Sequence, residues 1–160
     1  MKIMDRNRWG NNAQIASAVI SLLGFGILIY QAWAIQNNFK ATAARQVYMS
    51  YSESTLRNPE LSEPDYPKLR DGDPKEFVRY KNFVSHMLFA YDEILGAYDE
   101  PEWRRAFNEE IAYHLPYLCT YTDPGYDLMF FPKMQERLKQ ARARCPEVIK
   151  KLEAAAPAKN

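Results

Sequence analysis

The chain has 160 residues, of which 47% are hydrophobic and 26% charged, and its formal net charge at pH 7 is +1. This length suits one small domain plus a short additional segment. Residues 1–39 carry a net charge of +2, which leaves −1 for residues 40–160. Since nucleic-acid binding needs a basic surface, we expect no nucleic-acid partner.

The most distinctive stretch lies near the N-terminus. Residues 9–39 contain no Asp, Glu, Lys or Arg. A helix of about 20 apolar residues is enough to cross the hydrocarbon core of a membrane. Tyr30 and Trp33 lie near one end of the stretch and Trp9 near the other, where aromatic rings favour the membrane interface. We therefore predict a short N-terminal tail at residues 1–12 and a transmembrane helix at residues 13–35.

A cleaved signal peptide is the main alternative to this anchor. Lys2, Arg6 and Arg8 form a basic start, and the Ala-Trp-Ala sequence at residues 32–34 has the small-x-small form of a cleavage site. The apolar run is longer than the about 7–15 residues usual in signal peptides, and Trp fits such a site poorly. We favour an uncleaved signal anchor, with membrane lipid around it.

Basic residues near the two ends of the helix predict its orientation. The N-terminal flank has three basic residues and one Asp, whereas the other flank has only Lys40 and Arg45 nearby. Because basic residues favour the cytoplasmic side, we predict a cytoplasmic N-terminus. The rest of the chain would then lie beyond the inner or plasma membrane, in the periplasm if the source is bacterial.

Small side chains recur along one side of the predicted anchor. Ala13, Ser17, Ser21 and Gly24 are separated by four, four and three residues, a spacing that places them on one helix face. Small residues let two transmembrane helices approach closely, which predicts a helix–helix interface with another transmembrane subunit. The alternative is that Gly and Ser are simply frequent in membrane helices.

The anchor helix is expected to continue beyond the membrane, because residues 36–56 contain neither Gly nor Pro. Asn58 and Pro59 disfavour continuation, which places its end near Arg57. Residues 58–74 contain four prolines and one glycine and are predicted to form a surface loop. A loop that wraps the domain or contacts a partner is the alternative.

Apolar residues at spacings of three and four predict two further helices, at residues 75–97 and 101–115. Asp73 and Pro74 make a typical helix start, and Pro116 is expected to end or kink the second helix. The predicted domain core consists of Phe77, Val84, Met87, Leu88, Tyr91, Leu95, Trp103, Phe107 and Ile111.

The C-terminal part is predicted to be an aromatic-rich connection followed by a last helix. Tyr126, Phe130 and Phe131 are expected to fill the core or a partner groove. A helix is predicted from near Pro132 to residue 153, interrupted at Pro146 and docked on the domain; a basic amphipathic helix on a membrane surface is the alternative. The helical domain thus covers residues 36–153, and residues 154–160 form a flexible tail.

Cys119 and Cys145 are the only cysteines and have no CxxC motif. They are too few for a zinc site of their own. They could form one disulfide if the domain is periplasmic, whereas two buried thiols are the alternative that we favour.

Glu110 and His114 are the most catalytic-looking pair, since residues four apart share a helix face. Glu109 adjoins them, and His86, Asp92 and Glu93 lie on the preceding helix. A di-iron bundle needs the Glu-x-x-His spacing twice, and that spacing does not occur in the sequence. We expect no metal, no cofactor, no catalytic residue and no enzymatic activity.

The order of these features resembles a loose group of uncharacterised, mostly bacterial, single-pass membrane proteins. Segments 44–61, 76–96 and 101–117 carry the resemblance and cover about half of the chain, although no motif in them is diagnostic. The resemblance implies an anchor that continues into a small helical domain, and it implies no activity.

Taken together, the sequence predicts an all-α protein with an N-terminal transmembrane helix that continues into a small helical bundle. The predicted function is that of a non-enzymatic accessory or assembly subunit, binding other transmembrane subunits of a larger complex through its anchor and its domain. A small membrane-anchored enzyme, or a ligand- or metal-binding domain that uses Glu110 and His114, is the alternative.

Overall fold

The computed structural model of the protein describes residues 5–122 and 124–155, and the side chains of these residues except 5–13, 15 and 124. Within these ranges all regular structure is helical, which confirms the predicted all-α class. The helices are α1 (Asp5–Arg57), α2 (Pro59–Ser62), α3 (Tyr66–Asp71), α4 (Pro74–Ala97), α5 (Pro101–Thr120), a 3₁₀ helix (Pro124–Met129), α6 (Pro132–Arg142) and α7 (Cys145–Ala155).

The chain divides into two compact units, Met1–Lys40 and Ala41–Asn160. The described part of the first unit belongs to α1, which already begins at Asp5, inside the segment predicted as a tail. Its large apolar side chains are exposed, from 49% for Val19 to 74% for Phe39. Among the described residues, one helix, Ala16–Arg57, is long and apolar enough to cross a membrane, and none of its apolar window is buried. It is a candidate for a membrane span or a signal anchor.

Helix α4 is the centre of the second unit. Asp73 begins it by accepting a hydrogen bond from the backbone N–H of Lys75 at 2.9 Å, as expected for an N-cap before Pro74. Its buried residues are Tyr80, Phe83, Val84, Met87, Leu88, Ala90, Tyr91, Asp92, Ile94 and Leu95. Helices α5 and α6 and residues 41–57 of α1 contribute further buried side chains to the same core, and α7 packs against α5.

Seven of the nine residues predicted for the core are buried: Val84, Met87, Leu88, Tyr91, Leu95, Phe107 and Ile111. The other two, Phe77 and Trp103, are half-buried at its margin. The Phe77 ring meets the Tyr121 ring edge-on at 5.1 Å, and Trp103 lies 5.2 Å from Tyr48. Both rings therefore extend the core outward rather than fill its middle.

The predicted loop at residues 58–74 is wrong, because the segment forms α2 and α3. Pro59 and Pro67 occupy first-turn positions of these helices, where the missing N–H of proline costs nothing. Leu61 and Tyr66 are buried, and the Tyr66 hydroxyl lies 2.6 Å from Oγ1 of Thr120 on α5. The prolines therefore begin short helices that pack on the domain.

The predicted end of α5 near Leu115 is also wrong, since Pro116 lies inside a helix that continues to Thr120. Proline removes one backbone hydrogen bond from the helix interior. The residues after it, Tyr117 and Leu118, are buried, and their packing outweighs that loss. The Thr120 hydroxyl also donates to the carbonyl of Pro116 at 2.7 Å.

The C-terminal helix is interrupted as predicted, and α7 has Pro146 in its first turn. Cys119 and Cys145 form a disulfide, with their Cα atoms 5.3 Å apart, so the preference for two buried thiols is wrong. Because α5 and α7 pack together, their cysteines meet although 26 residues separate them in sequence. Residues 154 and 155 of the predicted flexible tail are still helical, and residues 156–160 lie outside the described residues.

We expect Leu88→Ala to lower the free energy of unfolding by about 2–5 kcal/mol, because Leu88 is fully buried and the substitution leaves a cavity. Val78→Ala, on the same helix at a position that is 49% exposed, is the matched control and should change it by less than about 1 kcal/mol. Chemical denaturation followed by circular dichroism measures both. Equal losses for the two variants would contradict the central position of α4.

Candidate functional site

The small-residue face predicted in the anchor lies on the exposed part of α1. A Cβ atom added at Gly24 would meet no other atom within 4 Å. The Ser21 hydroxyl donates to the carbonyl of Ser17 at 2.9 Å, inside its own helix. The side chain of Ala13 lies outside the side chains that the structure describes. At Gly24 the face is therefore open to close approach, and the Ser21 hydroxyl is already used inside its own helix.

His114, proposed as a ligand in the alternative hypothesis, is buried in the helical domain. Its Nδ1 lies 3.1 Å from the hydroxyl of Tyr80 on α4, and its ring packs against Phe83. Burial lowers the pKa of the imidazole to about 4, because the charged form would lose its hydration. His114 is therefore neutral at pH 7 and contributes a hydrogen bond within the core.

Glu110 lies one turn before His114 but has different neighbours. The phenols of Tyr51 on α1 and Tyr91 on α4 lie close enough to lower the pKa of its carboxyl group, but burial raises that pKa by more. Oε2 of Glu110 and the hydroxyl oxygen of Tyr91 are both buried and make no hydrogen bond among the described residues. The carboxylate is thus incompletely paired inside an aromatic cluster.

The remaining acids and the second histidine of that hypothesis are dispersed. Asp92 accepts hydrogen bonds from the backbone N–H of Phe131 at 3.0 and 3.2 Å, and His86 is exposed with its ring 6.1 Å from that of Tyr51. Glu93 and Glu109 are exposed. Within the described ranges, no group of three His, Cys, Asp or Glu residues could hold a metal ion. The described side chains therefore form no metal-binding cluster.

An exposed apolar surface lies elsewhere on the domain, and we call it the apolar patch: Phe89, Leu128, Met129 and Phe131. Their side chains are 45%, 74%, 55% and 56% exposed, respectively. Beside the patch is a groove of about 460 Å³. The groove is lined by Glu93, Gly96, Ala97, Phe131, Pro132 and Lys133.

Two polar contacts hold the segment that carries most of the patch. Asp92 binds the Phe131 N–H, as described above, and Arg142 makes a two-point ion pair with Asp127 at 2.7 and 2.8 Å. Both partners of that ion pair are largely buried. A buried Arg–carboxylate pair with two hydrogen bonds fixes orientation as well as charge, so the 3₁₀ helix is held firmly against α6.

Sequence reasoning identified part of this surface. Of the three aromatic residues expected to fill the core or a partner groove, Phe130 is buried, Tyr126 is half-buried and Phe131 is exposed beside the groove. Leu128 and Met129 were missed. Their adjacent apolar side chains in a short connection were the available signal.

Exposed apolar side chains thus gather in the N-terminal part of α1 and in the apolar patch of the domain. No family model, no curated protein and no solved structure matches this chain.

We expect Glu110→Gln to stabilise the protein at pH 7 by about 1 kcal/mol, the scale of one buried polar atom without a partner. Because the folded-state pKa of Glu110 is raised, its ionisation destabilises the fold as the pH rises through that pKa. The advantage of the variant should therefore shrink as the pH falls towards the ordinary pKa of Glu. Urea unfolding across this pH range measures it.

Glu109→Gln is the matched control for this experiment, since Glu109 is the adjacent carboxylate and is exposed. It should leave both the stability and its pH dependence nearly unchanged. A Glu110→Gln protein that is less stable than the wild type at pH 7 would mean that its contacts with Tyr51 and Tyr91 outweigh the burial of its charge.

Proposed function

We propose that the protein is a non-enzymatic, single-pass membrane-anchored accessory or assembly subunit that binds other subunits of a membrane complex. The observation that carries this proposal is the exposure of the large apolar side chains between residues 19 and 39 of α1, a stretch without charged residues. Such a surface is unstable in water and suits a hydrocarbon environment. The same helix continues into residues 41–57, which pack in the domain.

The Cys119–Cys145 disulfide supports a non-cytoplasmic location for the domain. Disulfides persist in oxidising compartments and are rare where glutathione and thioredoxin keep thiols reduced. The excess of basic residues before the anchor favours the same orientation, with the N-terminus in the cytoplasm. Two independent features, a covalent bond and a charge asymmetry, thus agree on the sidedness that we propose.

Partner binding within the membrane is proposed for the face that carries Ser17, Ser21 and Gly24. In lipid, apolar side chains gain little from meeting one another, and close backbone packing decides which helices associate. The open environment of Gly24 provides such a position. A partner transmembrane helix is the occupant that this chemistry favours.

The second candidate function is a ligand-binding or enzymatic domain that uses Glu110 and His114. The unpartnered buried oxygens of Glu110 and Tyr91 favour it, since such atoms are uncommon in native proteins. Against it, His114 bonds to Tyr80 whereas Glu110 faces Tyr51 and Tyr91, so the two side chains do not act on one common point.

Replacing Ser17, Ser21 and Gly24 together with Leu should abolish co-purification of a stoichiometric partner in mild detergent, because bulk on this face separates the helices. Membrane insertion should persist, since Leu favours it. Quantitative mass spectrometry of the purified complex measures the partner.

Ala18→Leu combined with Gly26→Leu is the control, since these residues lie on other sides of the helix and Gly26 also has no atom within 4 Å of an added Cβ. This double variant should retain the partner. Retention of the partner by both variants would contradict the proposed role of the anchor face. A wild-type protein that purifies without any partner would contradict the accessory role.

Sidedness can be tested in intact cells by trapping the thiols with acid and then alkylating them. We expect Cys119 and Cys145 to react only after chemical reduction, because they are bonded in an oxidising compartment. Protease added to spheroplasts should also digest the domain. Free thiols in rapidly trapped cells, together with a protected domain, would show the opposite orientation.

A further inference from the structure

The apolar patch draws its exposed side chains from two segments, α4 and residues 128–131. Phe89, Glu93, Gly96 and Ala97 follow one another at spacings of four, three and one, which places them on one face of α4. The Phe89 ring packs at 5.1 Å from that of Phe130, which directly precedes the exposed Phe131. Contiguous exposed apolar areas on soluble domains commonly mark interaction sites.

The groove beside the patch is preformed and has small residues along one wall. A Cβ added at Gly96 would meet only the Phe131 ring, at 3.8 Å, and Ala97 adds a single methyl group. The hydrogen bonds from the Phe131 N–H to Asp92 fix the opposite wall. Another protein can therefore approach the backbone of α4 closely without first reorganising the site.

Two opposite charges line this groove, one on each wall. Glu93 belongs to α4 and Lys133 to α6, and both are exposed. Among the described residues, the contacts of the Lys133 amine are long, 3.9 Å to Asp99 and 3.5 Å to the carbonyl of Leu95. Glu93 makes no ion pair among the described residues. Both charges are available to an incoming partner.

We propose that the apolar patch and its groove form a two-fold interface with a second copy of this chain. In a two-fold contact each surface meets itself. We place the two-fold axis along the groove, so that each wall faces the opposite wall of the other copy. The apolar centre is flanked by one acidic and one basic residue, so this arrangement brings opposite charges together on both of its sides. Glu93 of each copy then pairs with Lys133 of the other, around the packed Phe131 rings.

This inference does not rest on the accessory role. A dimer formed by the domain is compatible with partner binding through the anchor, and it would also form if the anchor bound nothing. Its test must therefore separate contacts of the domain from contacts of the membrane helix.

The first measurement is zero-length cross-linking of the full chain in detergent micelles. Equal amounts of unlabelled and ¹⁵N-labelled protein are mixed and treated with a carbodiimide, which joins carboxyl groups to amines. We expect a Glu93–Lys133 cross-linked peptide pair in which one peptide is labelled and the other is not. Only an intermolecular contact gives that mixed product, and its absence, with same-label links alone, overturns the proposal.

The second measurement is the dissociation constant of the dimer in a set of charge-swap variants. All of them also carry Leu at positions 17, 21 and 24, which suppresses contacts of the anchor. Glu93→Lys and Lys133→Glu should each weaken association by about tenfold or more, because like charges then face each other. The double variant restores opposite charges and should return to within about threefold of the parent. Sedimentation equilibrium gives the constants, and circular dichroism checks the fold.

Glu102→Lys and Lys139→Glu are the control pair, since both positions are exposed and lie outside the groove. They should leave dimerisation unchanged, singly and together. Single groove variants that weaken association without rescue in the double variant would overturn the proposal. A monomeric parent whose patch amides are protected from hydrogen exchange only by phosphatidylcholine–phosphatidylglycerol vesicles would overturn it in favour of a lipid contact.

Discussion

Burial of the apolar side of α4 is the constraint on which the domain depends. Ten residues of this helix are buried, from Tyr80 to Leu95, and no single neighbour covers them all. Residues of α1 after position 40, together with helices α3, α5 and α6, each contribute to that cover. The helix that begins as the candidate membrane span is consequently also part of the domain, because the C-terminal part of α1 contributes to the core.

The core contains more aromatic hydroxyls than a simple hydrophobic interior would. Tyr51, Tyr80 and Tyr91 are almost inaccessible to solvent, and burial raises the pKa of each phenol. Their neighbours differ, since Tyr80 meets the neutral His114 whereas Tyr51 and Tyr91 flank the carboxylate of Glu110. The His114 ring thus has a hydrogen-bond partner, whereas Glu110 is a carboxyl group whose charged form is disfavoured by burial.

Sequence reasoning predicted the long helices well, because they depend on a period that local sequence displays. The period of α4 and the uninterrupted run of α1 to Arg57 were both visible in the sequence. The errors came at prolines. Pro59 and Pro67 begin helices and Pro116 lies within one, since tertiary packing of Leu61, Tyr66, Tyr117 and Leu118 overrides local preference.

Contacts between distant segments were beyond that reasoning. Cys119 and Cys145 meet because α7 folds back on α5, and composition alone does not reveal such a return. Glu110 and His114 contact different residues for the same reason. They share one helix face, but the sequence does not show which side chains pack against each turn of that face. The apolar patch combines Phe89 with residues about forty positions later, a combination that appears only once the chain is folded.

The disulfide also gives the chain a closed covalent ring. Residues 119–145 form this ring, and Leu128, Met129, Phe131 and Lys133 all lie inside it. A single backbone cut anywhere between the two cysteines would leave both fragments joined through sulfur, with α1 on one and α7 on the other. A cut at the exposed residues Leu128 and Met129 would thus leave the two fragments covalently joined. Without reduction, such a nicked chain would migrate as one species.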